Sequence, residues 1–109
     1  MLPKNRRIKR SDFDLLSRGK TFSGNFLSLK VSRASGNSKV TFIVSKKVAK
    51  NAADRNRLRR RGYGQIKSFL KKITDGFLLA FYFKSRLGNI SKEDLYDDIE
   101  SLLSKSGLI

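Results

Sequence analysis

Residues 46–61 read KKVAKNAADRNRLRRR, and the run before them, residues 40–45, reads VTFIVS. The earlier run is β-branched and apolar, the composition of a half-buried strand. The later one holds eight cations against Asp54 alone. A charge run is commonly a solvated helix face, but such faces mix both signs, and this one does not. Arginine dominates its second half, and the planar guanidinium suits bidentate phosphate contacts and stacking on bases. At about 100° per residue, Leu58, Gly62, Ile66, Phe69, Leu70 and Ile73 gather on one side of a helix. Asn56, Arg60, Lys67 and Lys71 line the other side, and Asp75-Gly76 closes the helix. A strand therefore feeds a basic amphipathic helix through a short connector.

Outward from this unit, residues 26–32 alternate, with Leu27, Leu29 and Val31 on one face and Ser28, Lys30 and Ser32 on the other. Residues 34–38 form a turn signal, so this run and residues 40–45 are expected to pair as a hairpin. Thr21 and Phe22 suggest a brief strand before them. The apolar run 77–83 suggests a buried central strand. Ser11 with Asp14, and Ser91 with Asp94, have capping-box spacing. The first pair opens a short helix carrying Phe13, Leu15 and Leu16 that stops at Gly19. The second opens a helix whose buried stripe is Leu95, Ile99, Leu102 and Leu103. Residues 1–10 read as a flexible basic arm and residues 11–105 as a single RNA-binding domain. The order αβββαβα gives one α+β domain with helices covering one face of a small sheet.

Composition narrows the function. Of 109 residues, 25 are Lys or Arg and nine are Asp or Glu, a formal net charge of +16. A small domain needs far less charge for solubility, so a polyanionic partner is implied. Eight Phe in a 39% hydrophobic chain supply one modest core. No apolar run is long enough to cross a bilayer, and cations occupy the place of a signal-peptide core, so no membrane partner and a cytoplasmic location are expected. The chain has neither His nor Cys, which removes imidazole acid–base pairs, thiolate nucleophiles and His or Cys metal sites. Five of the nine acids lie in the last helix, where Glu93, Asp97 and Glu100 fall opposite its apolar stripe and read as a solvated face. The polypeptide alone is a poor candidate for an enzyme, and RNA is the expected partner.

The order of parts carries a further reading. A strand ending in Val44-Ser45-Lys46-Lys47-Val48, a short connector, and Arg55-Asn56-Arg57-Leu58-Arg59-Arg60 opening a long helix closely resemble the protein subunit of bacterial ribonuclease P. The resemblance extends from the arm near Arg6 and Arg7, through Asp12-Phe13 and residues 26–31, to about Leu103. It implies a four-stranded mixed sheet with a left-handed crossover through the basic helix. It implies a large catalytic RNA as partner and precursor tRNA as substrate, with removal of the 5′ leader. Magnesium, bound mainly by that RNA, would carry the hydrolysis. Carried over by position, Arg55, Asn56, Arg57, Arg59 and Arg60 contact the catalytic RNA, with Lys46 and Lys47 beside them. A cleft between the basic helix and the sheet holds the single-stranded leader, with Phe13 and Leu29 as its counterparts here.

Departures from the family pattern fall after Arg60. The chain continues Arg61-Gly62-Tyr63-Gly64, so the usual second arginine is Tyr63, a residue placed to stack on a base or simply to pack. Leu16 or Ser17 stands where a second first-helix aromatic is common, and Leu29 where some relatives carry a strand aromatic. Two other classes fit the charge: a small basic ribosomal protein, and a DNA-binding regulator using its helix in a major groove. No DNA partner is expected.

Overall fold

A computed structural model describes residues 2–84 and 90–109. Its order is α1 (Phe13–Leu16), β1 (Lys20–Ser23), β2 (Leu27–Arg33), β3 (Lys39–Ile43), α2 (Ala52–Ile66), β4 (Phe77–Phe83) and α3 (Lys92–Lys105). This is the expected α+β single domain, with a mixed four-stranded sheet ordered β1-β2-β4-β3. β1 and β2 pair antiparallel, as do β2 and β4, whereas β3 and β4 run parallel across the α2 crossover.

The expected hairpin between residues 26–32 and 40–45 is corrected: β4 lies between β2 and β3. The reason is burial. Phe77, Leu79, Phe81 and Phe83 face one side of the sheet, while Leu78, Ala80 and Tyr82 face the other. A strand apolar on both faces belongs in the centre, with neighbours on each edge. The connection from β2 to β3 instead arches over the start of β4. Ala34 donates its N–H to the Gly76 carbonyl, Gly76 donates back to Gly36, and the Ser38 hydroxyl bonds Thr74 and Phe77.

One face of the sheet carries the main core. Leu27, Leu29 and Val31 of β2, Val40 and Phe42 of β3, and the odd residues of β4 meet Ile66, Phe69 and Ile73 from the α2 side and Leu95, Ile99, Leu102 and Leu103 of α3. The other, outer face has a small cluster of Leu16, Leu78 and Ala80, with Ile8, Ile43 and Tyr82 packed against it.

Helix ends follow local chemistry. α3 starts where expected, with the Ser91 hydroxyl accepting from Asp94 N–H at 3.0 Å. At the first helix, the Ser11 cap is corrected: Lys9 N–H donates to the Asp12 carboxylate at 2.8 Å, a 3-10 turn spans Arg10–Asp12, and α1 proper is a single turn. α2 begins one turn earlier than the Arg55 expected, because Asn51 accepts from Ala53 N–H at 2.8 Å and caps it. It ends at Ile66 and continues as a 3-10 turn, Lys67–Phe69, that keeps Phe69 and Ile73 in the core.

Candidate RNA interface

Gly62 decides how α2 sits. A Cβ built there would lie 2.5 Å from the Phe42 ring, so the glycine brings the helix down onto β3. Tyr63 follows and wraps the edge of the sheet. Its ring meets Phe42 edge-on at 5.1 Å, and its hydroxyl accepts from Phe42 N–H at 3.3 Å. Tyr63 is thus largely a packing residue that closes an edge-strand amide. Tyr63 and Phe42 pack together where α2 meets the edge of the sheet. Gly64, in contrast, faces outward, and a Cβ added to it would have no neighbour within 4 Å.

One flank of α2 is exposed and basic. Asn56, Arg59, Arg60, Tyr63, Gly64 and Lys67 line a shallow groove of about 510 Å³. They recur at helical spacing, so the groove follows one continuous stripe. Arg59 bonds the Asn56 side chain, leaving the rest of its guanidinium outward. Arg60 is exposed and has no salt bridge among the described residues. The predicted contact set therefore divides by role. Asn56, Arg59 and Arg60 come together on the groove. Arg57 is exposed and pairs with Asp54 at 3.4 Å, a surface pair worth little that RNA phosphates can displace. Arg55 turns back, its Nη1 donating to the Ala49 and Lys50 carbonyls at 2.9 and 2.8 Å. It holds the connector against the helix, while Lys46 and Lys47 are exposed on that connector. Arg61 also ties structure together, donating to the Ile90 carbonyl ahead of α3.

The two leader candidates separate. Phe13 is 40% exposed on α1, beside the outer face on which Leu16 is buried. Leu29 is corrected: it is 0% exposed in the main core and has no surface for RNA. Alternation along β2 puts Leu29 and Lys30 on opposite faces, and the open face belongs to Lys30. Across that outer face the register sets Ser28, Tyr82 and Ile43 in one row and Lys30, Ala80 and Thr41 in the next. Apart from the buried Ala80, these side chains are half-buried. Tyr82 does not stand out in the sequence because it sits inside an apolar run. Its even position, out of phase with Phe81 and Phe83, is the one signal that separates it.

The acids do not offer a magnesium cage. Among the described residues no three acidic side chains converge. Asp12 and Asp75 face Lys39 and Arg6 at 3.9 and 3.6 Å. Asp98 is 5% exposed and accepts N–H bonds from Asn25, Phe26 and Leu27 at 2.8, 3.0 and 2.8 Å. Its carboxylate clamps the β1–β2 turn, a structural use of an acid from the α3 cluster.

Known proteins share this fold. A family model described as Ribonuclease P matches residues 2–107. The chain is 29% identical to the ribonuclease P protein component of Pseudanabaena sp. over 113 residues, covering 100% of this chain and 97% of that protein. Its fold is similar to the Staphylococcus aureus RNase P protein, with a TM-score of 0.83 at 18% identity over 96% of this chain and 98% of the other. The Thermotoga maritima RNase P protein gives a TM-score of 0.80 at 17% identity, covering 91% and 96% of the two chains.

Proposed function

The chain belongs to the Ribonuclease P family, and from that premise we propose that it docks on a catalytic RNA through α2 and holds the 5′ leader of precursor tRNA on the outer face of its sheet. The observation that carries this reading is the groove of Asn56, Arg59, Arg60 and Lys67, an exposed basic stripe on a chain of net charge +16. Counterion release from RNA phosphates makes such a stripe a strong, salt-sensitive docking surface. Lys46 and Lys47 extend it along the connector. The outer face differs in kind. Phe13 and Tyr82 supply rings on which unpaired bases stack, and Lys30 supplies a charge for the strand backbone.

Hydrolysis in this reading belongs to the RNA, with magnesium held mainly there. The polypeptide contributes docking and positioning, in the cytoplasm where tRNA is processed. Reconstitution tests it. Protein alone should leave precursor tRNA intact, and protein added to ribonuclease P RNA with magnesium should raise 5′-leader removal at low salt. Cleavage by RNA-free protein would overturn the assignment of chemistry to the RNA. Phe13→Leu should narrow the affinity gap between precursor and mature tRNA in the reconstituted complex, by no more than the roughly 1–3 kcal/mol that one stacked base contributes. An unchanged gap would move the leader off α1.

A further inference from the structure

The N-terminal arm laps over the free edge of β3. Leu2 is buried in the main core, whereas Ile8 packs with the outer cluster, so the segment passes from one face of the sheet to the other. Between them Arg7 forms a parallel bridge to Val40, and Arg6 donates to the Ser38 carbonyl at 3.2 Å. Arg7 is oriented by its Nε–H, which donates to the Leu2 carbonyl at 2.6 Å. These contacts hold the arm in one place.

The docked arm and the β2–β3 connection enclose a groove of about 700 Å³. Lys4, Arg7, Lys9 and Lys39 line it, with the Asn5 and Asn37 amides. Asp12 partly offsets Lys39 and Asp75 partly offsets Arg6. Lys4, Arg7 and Lys9 have no salt bridge among the described residues, so the groove is net positive.

Its position relates it to α2. Tyr63 of α2 contacts Phe42, and Arg7 bridges Val40, two residues away on the same edge. Two strand residues span about 7 Å. Because β3 and β4 are parallel, α2 runs back toward the Val40 end of β3. Each groove has a lining residue on or against β3, Lys39 within the strand and Tyr63 bonded to Phe42.

We propose that the arm and Lys39 form a second phosphate-binding track, continuous with the α2 stripe around the edge of β3, that grips the backbone of structured RNA. This rests on the RNA-docking reading above and adds the surface and the class of RNA it takes. None of the residues lining the arm groove is aromatic. Aromatic rings are the usual platform for unpaired bases, and lysine acts on phosphate as a point charge. The track therefore suits paired, structured RNA, and unpaired leader belongs to the outer face.

The test measures binding of in vitro transcribed ribonuclease P RNA, without tRNA, against salt concentration. Lys4→Ser/Lys9→Ser should lower the log–log slope by about 1.4–1.8, two contacts' worth. Binding at 0.1 M salt should weaken roughly 25- to 60-fold relative to the intact chain and converge with it near 1 M. Lys4→Arg/Lys9→Arg should keep the slope, and both variants should keep the melting temperature. A slope unchanged in the serine variant, with Arg60→Ala still flattening it, overturns the arm track alone. If neither variant moves the slope, the α2 reading falls with it. A serine variant that narrows the precursor-to-mature gap while leaving this slope intact would assign the arm to the leader and also overturn the proposal.

Discussion

α2 and α3 lie on the same face of the same sheet, and both bury an apolar stripe there. They differ in where their polar groups go. α2 keeps Arg59, Arg60 and Lys67 outward around an open groove. α3 turns one carboxylate, Asp98, inward onto three backbone amides that have no strand partner at the β1–β2 turn. Charge on α2 is left available to a partner, and the buried charge of α3 is used up inside the fold. Two helices with similar packing duties therefore predict opposite consequences when a charge is removed: lost stability on α3, lost RNA affinity on α2.

The sharpest way to break that contrast is Asp98→Ala. It removes the acceptor of three N–H groups and leaves them partly buried, so unfolding free energy in urea should fall by about 3 kcal/mol or more. A loss below about 1 kcal/mol would place Asp98 among the ordinary surface acids. Gly62→Ala comes next. The added methyl meets a Phe42 ring stacked on Phe81 at 4.9 Å, and overpacking of this kind costs about 1–3 kcal/mol, offset by up to about 1 from helix propensity. A net loss should appear in the melting temperature, and a gain would mean α2 has room to spare above β3.

Arg60→Ala sharpens the other side. Removing one phosphate contact should flatten the salt dependence of RNA binding by about 0.7–0.9 and weaken binding roughly 5- to 8-fold at 0.1 M salt, with stability unchanged. Lys92→Ala on α3 should do neither, and equal effects from the two would erase the division of labour. The smallest effect belongs to Gly64→Ala. Nothing stands near its Cβ position, so the variant should gain about 0.5–1 kcal/mol from helix propensity. A loss would show that Gly64 is needed for something other than helix stability.

These features are unequally legible in the sequence. The stripe of α3, its Ser91 cap and the basic run of α2 follow from spacing, because a helix places every third or fourth residue on one side. Asp98 is also legible in principle. It falls between Leu95 and Ile99 on the buried face, but a neighbouring run of acids disguises it as solvated charge. Leu29 shows a different limit: alternation separates two faces without saying which one is covered. The false hairpin shows a third, since a turn signal at residues 34–38 reports a reversal and not the neighbour that the reversal leads to. The docking of the arm is hidden because two apolar residues, Leu2 and Ile8, do the anchoring inside a segment whose composition is dominated by cations.

The insertion of β4 between β2 and β3 also bears on how the chain is made. β1 and β2 can pair early, but β3 cannot join the sheet until residues 77–83 have been synthesised, because β4 lies between it and β2 and is the last strand in sequence. Until then β2 and β3 expose unpaired edges, and α2 has no finished sheet to lie on. Pairings between distant segments form slowly. A basic segment that reaches the RNA-rich interior of a cell before its scaffold exists meets polyanions while still unfolded. Final positioning of the arginine stripe must therefore wait for β4, so a nascent chain arrested before residue 77 should carry the charge of an RNA binder without its shape.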